Sequence, residues 1–282
     1  MGDWKIEGGR VTTLDLGGFN EIRFCRHGPM MYNKFDQFVG GSLRRYGEYS
    51  HGEFELFARL VGGADTVVEV GANLGAHTVP LAKRAYKVIA FEPQRLMFQT
   101  LCGNLALNQL TNVEAYQQAV GSGYRNSAQI AQYPPDEPCN FGALSIVEAP
   151  RDLKYETVPC VALDKIGLAS CDFLKIDVEG MEQEVLEGGR NMIETHRPVI
   201  YCENDRKDKG EALVACLRSM NYDLYWHMPF MFNPLNHASN PRNEYPNIVS
   251  VNMLCMPAGV APPVFMQPVA RWDELYGTSL AA

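Results

Sequence analysis

An alternation of strand-like and helix-like segments is the sequence feature that most constrains the fold of this chain. Between residues 66 and 220, short runs of Val, Ile and aromatic residues alternate with segments whose apolar residues recur at helical spacing. The strand-like runs are 66–71, 88–91, 113–120, 172–177 and 198–202, and the helical segments are 77–84, 95–108, 181–187 and 211–220. Because strands that alternate with helices form parallel β-α-β units, the pattern predicts a Rossmann-like α/β sheet.

Two further strand-like runs, 222–227 and 248–255, follow without a helical segment between them. Antiparallel strands can be joined by a loop alone, whereas parallel strands need a long crossover. We therefore expect these two runs to form an antiparallel hairpin at the end of the sheet.

The rest of the chain is arranged around this sheet. Residues 1–60 contain three glycine pairs and no sustained period, which predicts strands and loops that form an N-terminal cap or lid extension. Residues 61–260 form the main domain in this interpretation, and residues 261–282 form a C-terminal tail. Within the main domain, residues 228–247 are rich in Pro and Asn and predict a long loop on the substrate side.

Composition narrows the choice of partners. The formal net charge of -8 disfavours a nucleic-acid partner, because phosphate binding needs clustered Lys and Arg. The eight cysteines include no Cys-x-x-Cys pair, so neither a zinc cluster nor a disulfide framework is indicated. No stretch approaches the roughly 20 apolar residues of a membrane span. We expect a cytoplasmic protein that acts on a small molecule and has no nucleic-acid or membrane partner. Whether the chain forms a homo-oligomer stays an open question at this point.

The turn from Glu69 to Gly75 lies between the first predicted strand and the first predicted helix. Glycines at such a turn let the backbone approach a ligand, which makes Gly71, Asn73 and Gly75 candidate cofactor contacts. The turn does not match the dinucleotide fingerprint G-x-G-x-x-G, because Asn73 stands where its second glycine would be. An acidic Glu69 also favours the cationic S-adenosylmethionine over the pyrophosphate of NAD.

Four further residues extend the predicted cofactor site. Glu92 ends the second strand, 23 residues after Glu69, where a carboxylate can accept hydrogen bonds from both ribose hydroxyls. Thr78 either caps the helix or touches the amino-acid tail of the cofactor. Ala119 and Val120 end the third strand and either approach the adenine or pack in the core. The alternative for the whole turn is a tight bend with close helix packing, in which Glu92 only caps a helix.

Several segments resemble the FkbM family of methyltransferases: VVEVGANLGAHT at 67–78, AFEP at 90–93, DFLKIDVEGMEQEVLEGG at 172–189 and RPVIYCE at 197–203. The resemblance implies a seven-strand, mostly parallel sheet with an antiparallel last strand, and S-adenosylmethionine as methyl donor. It implies in addition that the acceptor is usually a hydroxyl of a sugar, polyketide or similar metabolite. The family's glycine turn is matched by residues 69–75, its ribose acid by Glu92, and its acid after the fourth strand by Asp177.

Candidate catalytic residues lie at the carboxyl ends of the later strands. Asp177 and Glu203 end the fourth and fifth strands, and His227 ends the next, so we expect the three to converge on the acceptor. Lys175 lies two residues before Asp177 on the same strand face, and is either a buried ion-pair partner or a catalytic lysine. His77 and His196 fall inside helical patterns, which makes them weaker candidates.

Two hypotheses about these residues stay open. Asp177 and Glu203, with Asp205, could instead bind a divalent cation such as Mg or Mn through carboxylate oxygens. His227 could be a packing residue in an aromatic setting. The nearby loop contains aromatic and amide side chains suited to a sugar, namely Trp226, Phe232, Asn233, Asn236 and Asn240.

The sequence therefore predicts an S-adenosylmethionine-dependent O-methyltransferase that acts on a sugar or another small hydroxylated metabolite. N- or carboxyl-methylation of a small molecule is the nearest alternative, because the same fold supports each of these reactions. A non-catalytic module that binds the cofactor and an NAD-dependent oxidoreductase are the alternatives from other classes.

Overall fold

The N-terminal region folds into a small sheet followed by two helices. The computed structural model describes residues 3–7, 10–142 and 153–273. The first elements are β1 (Asp3–Glu7), β2 (Arg10–Asp15), β3 (Asn20–Cys25), β4 (Gly28–Asn33), α1 (Val39–Tyr46) and α2 (His51–Leu60). The four strands pair antiparallel in chain order. The sequence predicted the strands of this region but not its helices.

The remaining elements contain the predicted alternation together with additional strands and one additional helix. They are β5 (Thr66–Val70), α3 (Thr78–Ala82), β6 (Lys87–Phe91), α4 (Arg95–Leu107), β7 (Val113–Tyr116), β8 (Ala119–Val120), β9 (Ser127–Gln132), β10 (Lys154–Val161), a 3-10 turn (Leu163–Lys165), β11 (Phe173–Ile176), α5 (Glu182–Gly188), α6 (Arg190–His196), β12 (Val199–Glu203), α7 (Gly210–Ser219), β13 (Tyr222–His227) and β14 (Asn252–Pro257).

The main sheet has seven strands in the order β13-β14-β12-β11-β5-β6-β7. Strands β12, β11, β5, β6 and β7 are parallel to one another, and β14 is antiparallel to both of its neighbours. This arrangement confirms the predicted α/β class with an antiparallel last strand. The carboxyl ends of β5, β6, β11 and β12 therefore lie along one edge of the sheet, where ligands of such folds bind.

One predicted strand is in fact two. Residues 113–120 were expected to form the third strand, but only β7 belongs to the main sheet. Strand β8 pairs instead with β10 in a separate three-stranded sheet, in the order β8-β10-β9. The residues between β7 and β8 turn the chain away from the main sheet, which brings Ala119 and Val120 over its edge.

The two faces of the main sheet bury different parts of the chain. Successive strand residues point to opposite faces, so Val67 joins one core cluster and Val68 the other. The first cluster includes residues of the N-terminal region such as Phe57, and the second packs against α5, α6 and α7. The expected cap thus shares a core with the sheet instead of resting on its surface.

Phe57 of α2 illustrates this shared core. Its ring is fully buried and lies 5.3 Å from the Phe173 ring of β11 and 4.8 Å from the Tyr201 ring of β12, between centroids. Burial of a side chain of this size stabilises a fold by about 1.5–3 kcal/mol. Helix α2 is therefore packed on the face of the sheet formed by β11 and β12.

Part of the predicted C-terminal tail, residues 274–282, lies outside the described residues, as do 1–2, 8–9 and 143–152. Among the helices of the described ranges, none has the length and apolar character that crossing a bilayer requires. All eight cysteines are unpaired thiols.

Candidate functional site

The glycine turn after β5 is shaped by close backbone contacts. Gly71 has a φ of +85°, and a Cβ atom at this position would lie 1.8 Å from the backbone oxygen of Asp177. Gly75 has a φ of +91°, and its Cβ would lie 2.8 Å from Cδ1 of Leu101. Both positions require glycine, because L side chains rarely adopt such φ values and no space is left for one. Close packing therefore accounts for both glycines, as in the alternative interpretation of this turn. Gly71 in addition lines a large cavity.

Glu92 faces this cavity from the end of β6. Its Oε2 accepts a hydrogen bond from the backbone N–H of Asn73 at 2.8 Å, and its Oε1 accepts one from Gln94 at 2.8 Å. Burial raises the pKa of the Glu92 carboxyl to about 7, although these two hydrogen bonds favour the charged form. Each carboxylate oxygen can accept a second hydrogen bond, so both remain able to bind ribose hydroxyls. The capping and ligand-binding interpretations of Glu92 are compatible.

Glu69 and Lys175 form a buried ion pair on adjacent strands. Their side chains are 1% and 2% exposed, and Lys175 Nζ lies 3.6 Å from Glu69 Oε1 and 3.1 Å from Asp177 Oδ2. Thr78 Oγ1 donates to Glu69 Oε2 at 2.6 Å. Asp177 and Glu69 raise the pKa of Lys175 against the opposing effect of burial, so the ammonium stays charged. Lys175 is therefore an ion-pair partner, and Thr78 holds Glu69 instead of lining the cavity.

A second acidic group lies at the ends of β11 and β12. Asp177, Glu179 and Glu203 have carboxylate oxygens within 4.8 Å of one another. Burial and the charge of Asp177 raise the pKa of Glu203 well above its usual value. Arg206 contacts this group: its Nη2 lies 2.9 Å from Glu179 Oε2, and its Nε lies 3.5 Å from Asp205 Oδ1. The predicted pairing of Asp177 with Glu203 at adjacent strand tips is present, with Glu179 as a third member.

These groups surround one cavity of about 460 Å³. Its lining combines the glycine turn, the strand-tip acids, residues of the N-terminal region and the segment that leads into β14. The polar and titratable lining residues include Tyr49, Glu53, Glu69, Asn73, His77, Glu92, Lys175, Asp177, Glu203 and Asn252. A smaller cavity of about 50 Å³ adjoins it and is lined by Ala119 and Val120, together with Phe91 and Glu92. The smaller cavity lies where an adenine beside the ribose acid is expected.

His227 lies away from this group. Its Nδ1 is 2.9 Å from the hydroxyl of Tyr201, and burial lowers the pKa of the imidazole. It is not among the described residues that line the cavity. The expected convergence of three groups therefore holds for Asp177 and Glu203 but not for His227, because β13 is separated from β12 by β14.

The long loop 228–247 packs against the N-terminal region. Asn233 donates to Glu48 Oε1 at 2.8 Å, and the hydroxyl of Tyr245 donates to the Gln37 carbonyl at 2.7 Å. Trp226 is buried in the second core cluster. The side chains expected to hold a sugar are used in these contacts, and Met231 is the one described member of residues 228–247 that lines the cavity.

Sequence reasoning assigned no specific role to three residues of this cavity: Glu53 was not singled out, Tyr49 was covered only by the expected N-terminal lid, and His77 was a weaker candidate because of its helical pattern. Glu53 belongs to α2, Tyr49 precedes that helix, and His77 directly precedes α3. Their separation along the chain removes any motif that could have linked Glu53 to His77. The available signal was the position of His77 within the glycine turn segment, next to Thr78.

The acidic and hydrogen-bonding groups of the cavity fit a cationic nucleoside cofactor. Glu69 Oε1 is a buried carboxylate oxygen without a hydrogen-bond partner among the described residues, and it faces the cavity beside the glycine turn. A ligand ammonium group there would supply the missing donor, and the surrounding acids would favour a sulfonium. Glu92 would hold the ribose, and Ala119 with Val120 would flank the adenine.

A sheet of this order, with a glycine turn after one central strand and an acid after the next, defines an α/β protein that binds a nucleoside-type cofactor at the carboxyl ends of its strands. The family model described as the methyltransferase FkbM domain matches residues 69–224, more than half of the chain. The chain belongs to this FkbM methyltransferase family, which implies S-adenosylmethionine as the methyl donor.

One curated protein and two solved structures are similar to parts of this chain. Methyltransferase sdnD of Sordaria araneosa is 32% identical over an alignment of 156 residues, and the match covers 43% of this chain and 59% of that protein. The matched region is thus less than two thirds of that relative. A solved FkbM methyltransferase of Methylobacillus flagellatus is 18% identical with a TM-score of 0.45, covering 68% of this chain and 43% of its own.

A tRNA (uracil-54, C5)-methyltransferase of Pyrococcus abyssi, solved with S-adenosyl-L-homocysteine, is 10% identical with a TM-score of 0.47. That match covers 84% of this chain and 44% of the solved one.

Proposed function

We propose that this protein transfers the methyl group of S-adenosylmethionine to a hydroxyl group of a small polar metabolite, with sugars as the first class to test. The observation that carries the proposal is a set of three buried hydrogen-bond acceptors in one cavity. They are Glu69 Oε1, His77 Nε2 and Glu203 Oε2, and each lacks a hydrogen-bond partner among the described residues; Lys175 Nζ, 3.6 Å from Glu69 Oε1, contributes its charge alone. Buried acceptors without partners cost about 1–3 kcal/mol each, so a ligand that brings hydrogen-bond donors is favoured.

The cofactor contributes one part of these donors. Its ammonium group would pair with Glu69, and its ribose hydroxyls would donate to Glu92. When bound, the cofactor supplies a methyl group activated by a sulfonium. The protein residues around the cavity orient this group. Gly71 and Asn73 of the glycine turn line the part of the cavity in which the cofactor would lie.

The acceptor contributes the other part. Hydroxyl groups can donate to Glu203, and the net charge of -8 supports a small neutral or cationic acceptor over a nucleic acid. Burial and the charge of Asp177 raise the pKa of Glu203, and its Oε2, which lacks a hydrogen-bond partner among the described residues, is available to a hydroxyl group of the acceptor. We assign Asp177 and Glu203 to orientation of the acceptor, and His227 to support of Tyr201 behind them.

A divalent cation at Asp177 and Glu203 is the second hypothesis for this corner. Glu179 completes a group of three carboxylates suited to Mg or Mn. Arg206 already supplies a positive charge to Glu179 and Asp205 at the same place. We infer that Arg206, without a cation, balances these acids, so dialysis against EDTA should leave turnover unchanged. Loss of turnover that Mg or Mn restores would contradict this inference.

The proposed function is tested by the product. The protein is incubated with S-adenosylmethionine labelled in its methyl group and with a panel of sugars, polyols, amines and carboxylic acids. We expect label in an ether-linked methyl group, detected by mass spectrometry and NMR. Label on nitrogen or in an ester would replace the proposal by N- or carboxyl-methylation.

Binding without turnover needs a separate measurement. Calorimetry should show binding of S-adenosylhomocysteine and no binding of NAD. A protein that binds S-adenosylhomocysteine but methylates no member of the panel would favour the non-catalytic module. Tight binding of NAD would overturn the cofactor assignment itself.

A further inference from the structure

His77 occupies a position that its sequence context does not suggest. It directly precedes α3, is 5% exposed, and lines the main cavity. Its ring packs against Tyr49 at 5.5 Å and Phe57 at 5.3 Å, measured between centroids. These two aromatic contacts fix the plane of the imidazole, so its outer nitrogen has a defined direction.

The two ring nitrogens of His77 have different environments. The backbone carbonyl of Ser50 favours a proton on the imidazole, and the buried ring nitrogen without a hydrogen-bond partner among the described residues is Nε2. A neutral ring with its proton on Nδ1, toward the Ser50 carbonyl, has a lone pair on Nε2. Ser50 itself has a φ of 38°, an unusual backbone conformation for a residue with a side chain, at the start of α2.

Glu53 of α2 lies beside this lone pair. Its Oε2 is 3.9 Å from His77 Nε2, and its Oε1 accepts a hydrogen bond from Ser50 Oγ at 2.7 Å. Asn252 Nδ2 is 3.5 Å from the same Oε1. A hydroxyl group about 2.8 Å from Nε2 could donate its one proton to this nitrogen, with the Glu53 carboxyl beside the pair. The pair therefore forms a small subsite for a hydroxyl group.

We propose that His77 and Glu53 form the subsite for the reacting hydroxyl, in which Nε2 of His77 removes the proton as the methyl group is transferred. The inference rests on the proposed function, because it assigns a proton acceptor to the same reaction. It adds a residue that the N-terminal region positions, since both the Ser50 carbonyl and Glu53 lie before the segment matched by the family model, which begins at residue 69.

The step balances in atoms and charge. The O–H bond of the acceptor breaks, and its proton passes to Nε2 of His77. A lone pair of the acceptor oxygen forms the new bond to the methyl carbon while the carbon–sulfur bond breaks and leaves its electron pair on sulfur. The positive charge thus moves from the sulfonium to the imidazolium, beside the Glu53 carboxyl.

The low basicity of His77 is compatible with this step. Burial, together with the charge of Lys175, lowers the pKa of the His77 imidazole to about 3, so the ring is neutral at physiological pH. An alcohol oxygen that has gained a methyl group is a protonated ether, which is far more acidic than any imidazolium. Proton transfer late in the step is therefore favourable even to a weak base.

The charged and titratable groups that face His77 come from three elements. Glu53 lies on α2, Lys175 and Asp177 belong to β11 and its end, and Tyr49 lies in the connection before α2. Of these, Glu53 is closest to the unpartnered nitrogen and stabilises the imidazolium that forms. A pH profile must therefore be compared between the wild type and a Glu53 variant.

The decisive variants separate the two nitrogens of His77. In His77→Asn the side-chain amide can still donate to the Ser50 carbonyl, but nothing replaces the Nε2 lone pair. We expect turnover to fall by about 10²–10⁴-fold, with affinity for S-adenosylhomocysteine and the melting temperature close to those of the wild type. His196→Asn, at the end of α6 and away from the cavity, is the matched control and should retain full turnover.

Nitrogen NMR of histidine-labelled protein gives a readout that does not depend on activity. The resonances lost in His77→Asn should be those of a neutral ring with its proton on Nδ1, at neutral and mildly acidic pH. A proton on Nε2 would overturn the proposal. So would unchanged turnover in folded His77→Asn, or a loss of cofactor affinity as large as the loss of turnover.

Glu53→Gln tests the partner residue. It retains the shape of the side chain and the contact with Ser50 but removes the charge beside the imidazolium, so turnover should fall about 10-fold or more. The acid side of the pH profile should change relative to the wild type. If the product is an O-methyl ether and both variants stay active, the subsite is wrong while the proposed function stands; an N-methyl or ester product would remove the proposed function instead.

Discussion

The two halves of the cavity are built in different ways. The cofactor half comes from one short stretch of the chain, because Glu69, the glycine turn and Glu92 all lie within 24 residues. The acceptor half combines the tips of β11 and β12 with α2 and the segment before β14, which are far apart in sequence. Local residues thus determine where the cofactor would bind, whereas tertiary packing determines what surrounds the acceptor.

Gly71→Ala should show the largest effect, on the locally built half. An added Cβ would lie 1.8 Å from the Asp177 backbone oxygen at a φ of +85°, so strands β5 and β11 would have to separate. We expect a loss of more than about 4 kcal/mol in the free energy of unfolding, or no folded protein. Gly167→Ala is the matched control, because its φ is +70° but no atom lies within 4 Å. It should cost about 1–2 kcal/mol in urea unfolding. Equal losses in both variants would show that the close approach at Gly71 is relaxed in solution.

Phe57→Ala tests the connection between the halves. The ring joins α2 to β11 and β12, and its removal should cost about 3–5 kcal/mol in urea unfolding. Phe24→Ala, at a ring that is 55% exposed, is the matched control and should change stability by less than about 0.5 kcal/mol. A small loss at Phe57 would mean that the N-terminal region is only loosely attached to the sheet, contrary to the shared core.

The sequence predicted much of the cofactor half and little of the acceptor half, for a physical reason. The β5 turn and Glu92 depend on local conformation, which the spacing of Gly71, Gly75 and Glu92 records. Helix α1 was missed because Gly40 and Gly41 suggest a loop. In the structure they are required inside the helix: a Cβ at Gly40 would lie 2.5 Å from the Asn33 carbonyl, and one at Gly41 the same distance from the Arg45 side chain.

His77 and Glu53 illustrate the same limit at the site. A helix-like pattern around His77 predicts packing, and the structure does bury the ring, but its function depends on groups that lie 24 and 27 residues earlier. The long loop gave the opposite error. Its amides and aromatic rings suit a sugar, yet they hold the loop to α1, because a loop of that length needs partners for its own polar groups.

Glu92→Gln should have a moderate effect, confined to the cofactor half. Loss of charge-assisted hydrogen bonds to the ribose should weaken binding of S-adenosylhomocysteine by about 1.5–3 kcal/mol in calorimetry. The pKa of Glu92 is about 7, above its usual 4.5, so the carboxyl gains a proton as the pH falls below 7. Wild-type affinity should therefore weaken by at most about tenfold per pH unit below 7 from this group. The variant should lack that contribution, and identical pH dependence in both proteins would remove Glu92 from the ribose site.

Tyr245→Phe should have the smallest effect and tests whether the long loop supports the acceptor half or contacts the acceptor. The Tyr245 hydroxyl donates to the Gln37 carbonyl at 2.7 Å and accepts from Arg45 Nη1 at 3.2 Å. Neither group lines the cavity, so the substitution removes hydrogen bonds that hold the loop to α1 while leaving the ring stacked on Phe38 at 5.8 Å. We expect a loss of about 0.5–1.5 kcal/mol in urea unfolding. The KM for the acceptor and the affinity for S-adenosylhomocysteine should stay close to the wild-type values.

Met231→Ala is the informative companion, because Met231 lies on the same loop but lines the cavity. If Tyr245→Phe raises the acceptor KM as much as Met231→Ala does, the loop moves as one body over the acceptor, and the amide and aromatic side chains assigned here to structural contacts would return as candidates for acceptor binding.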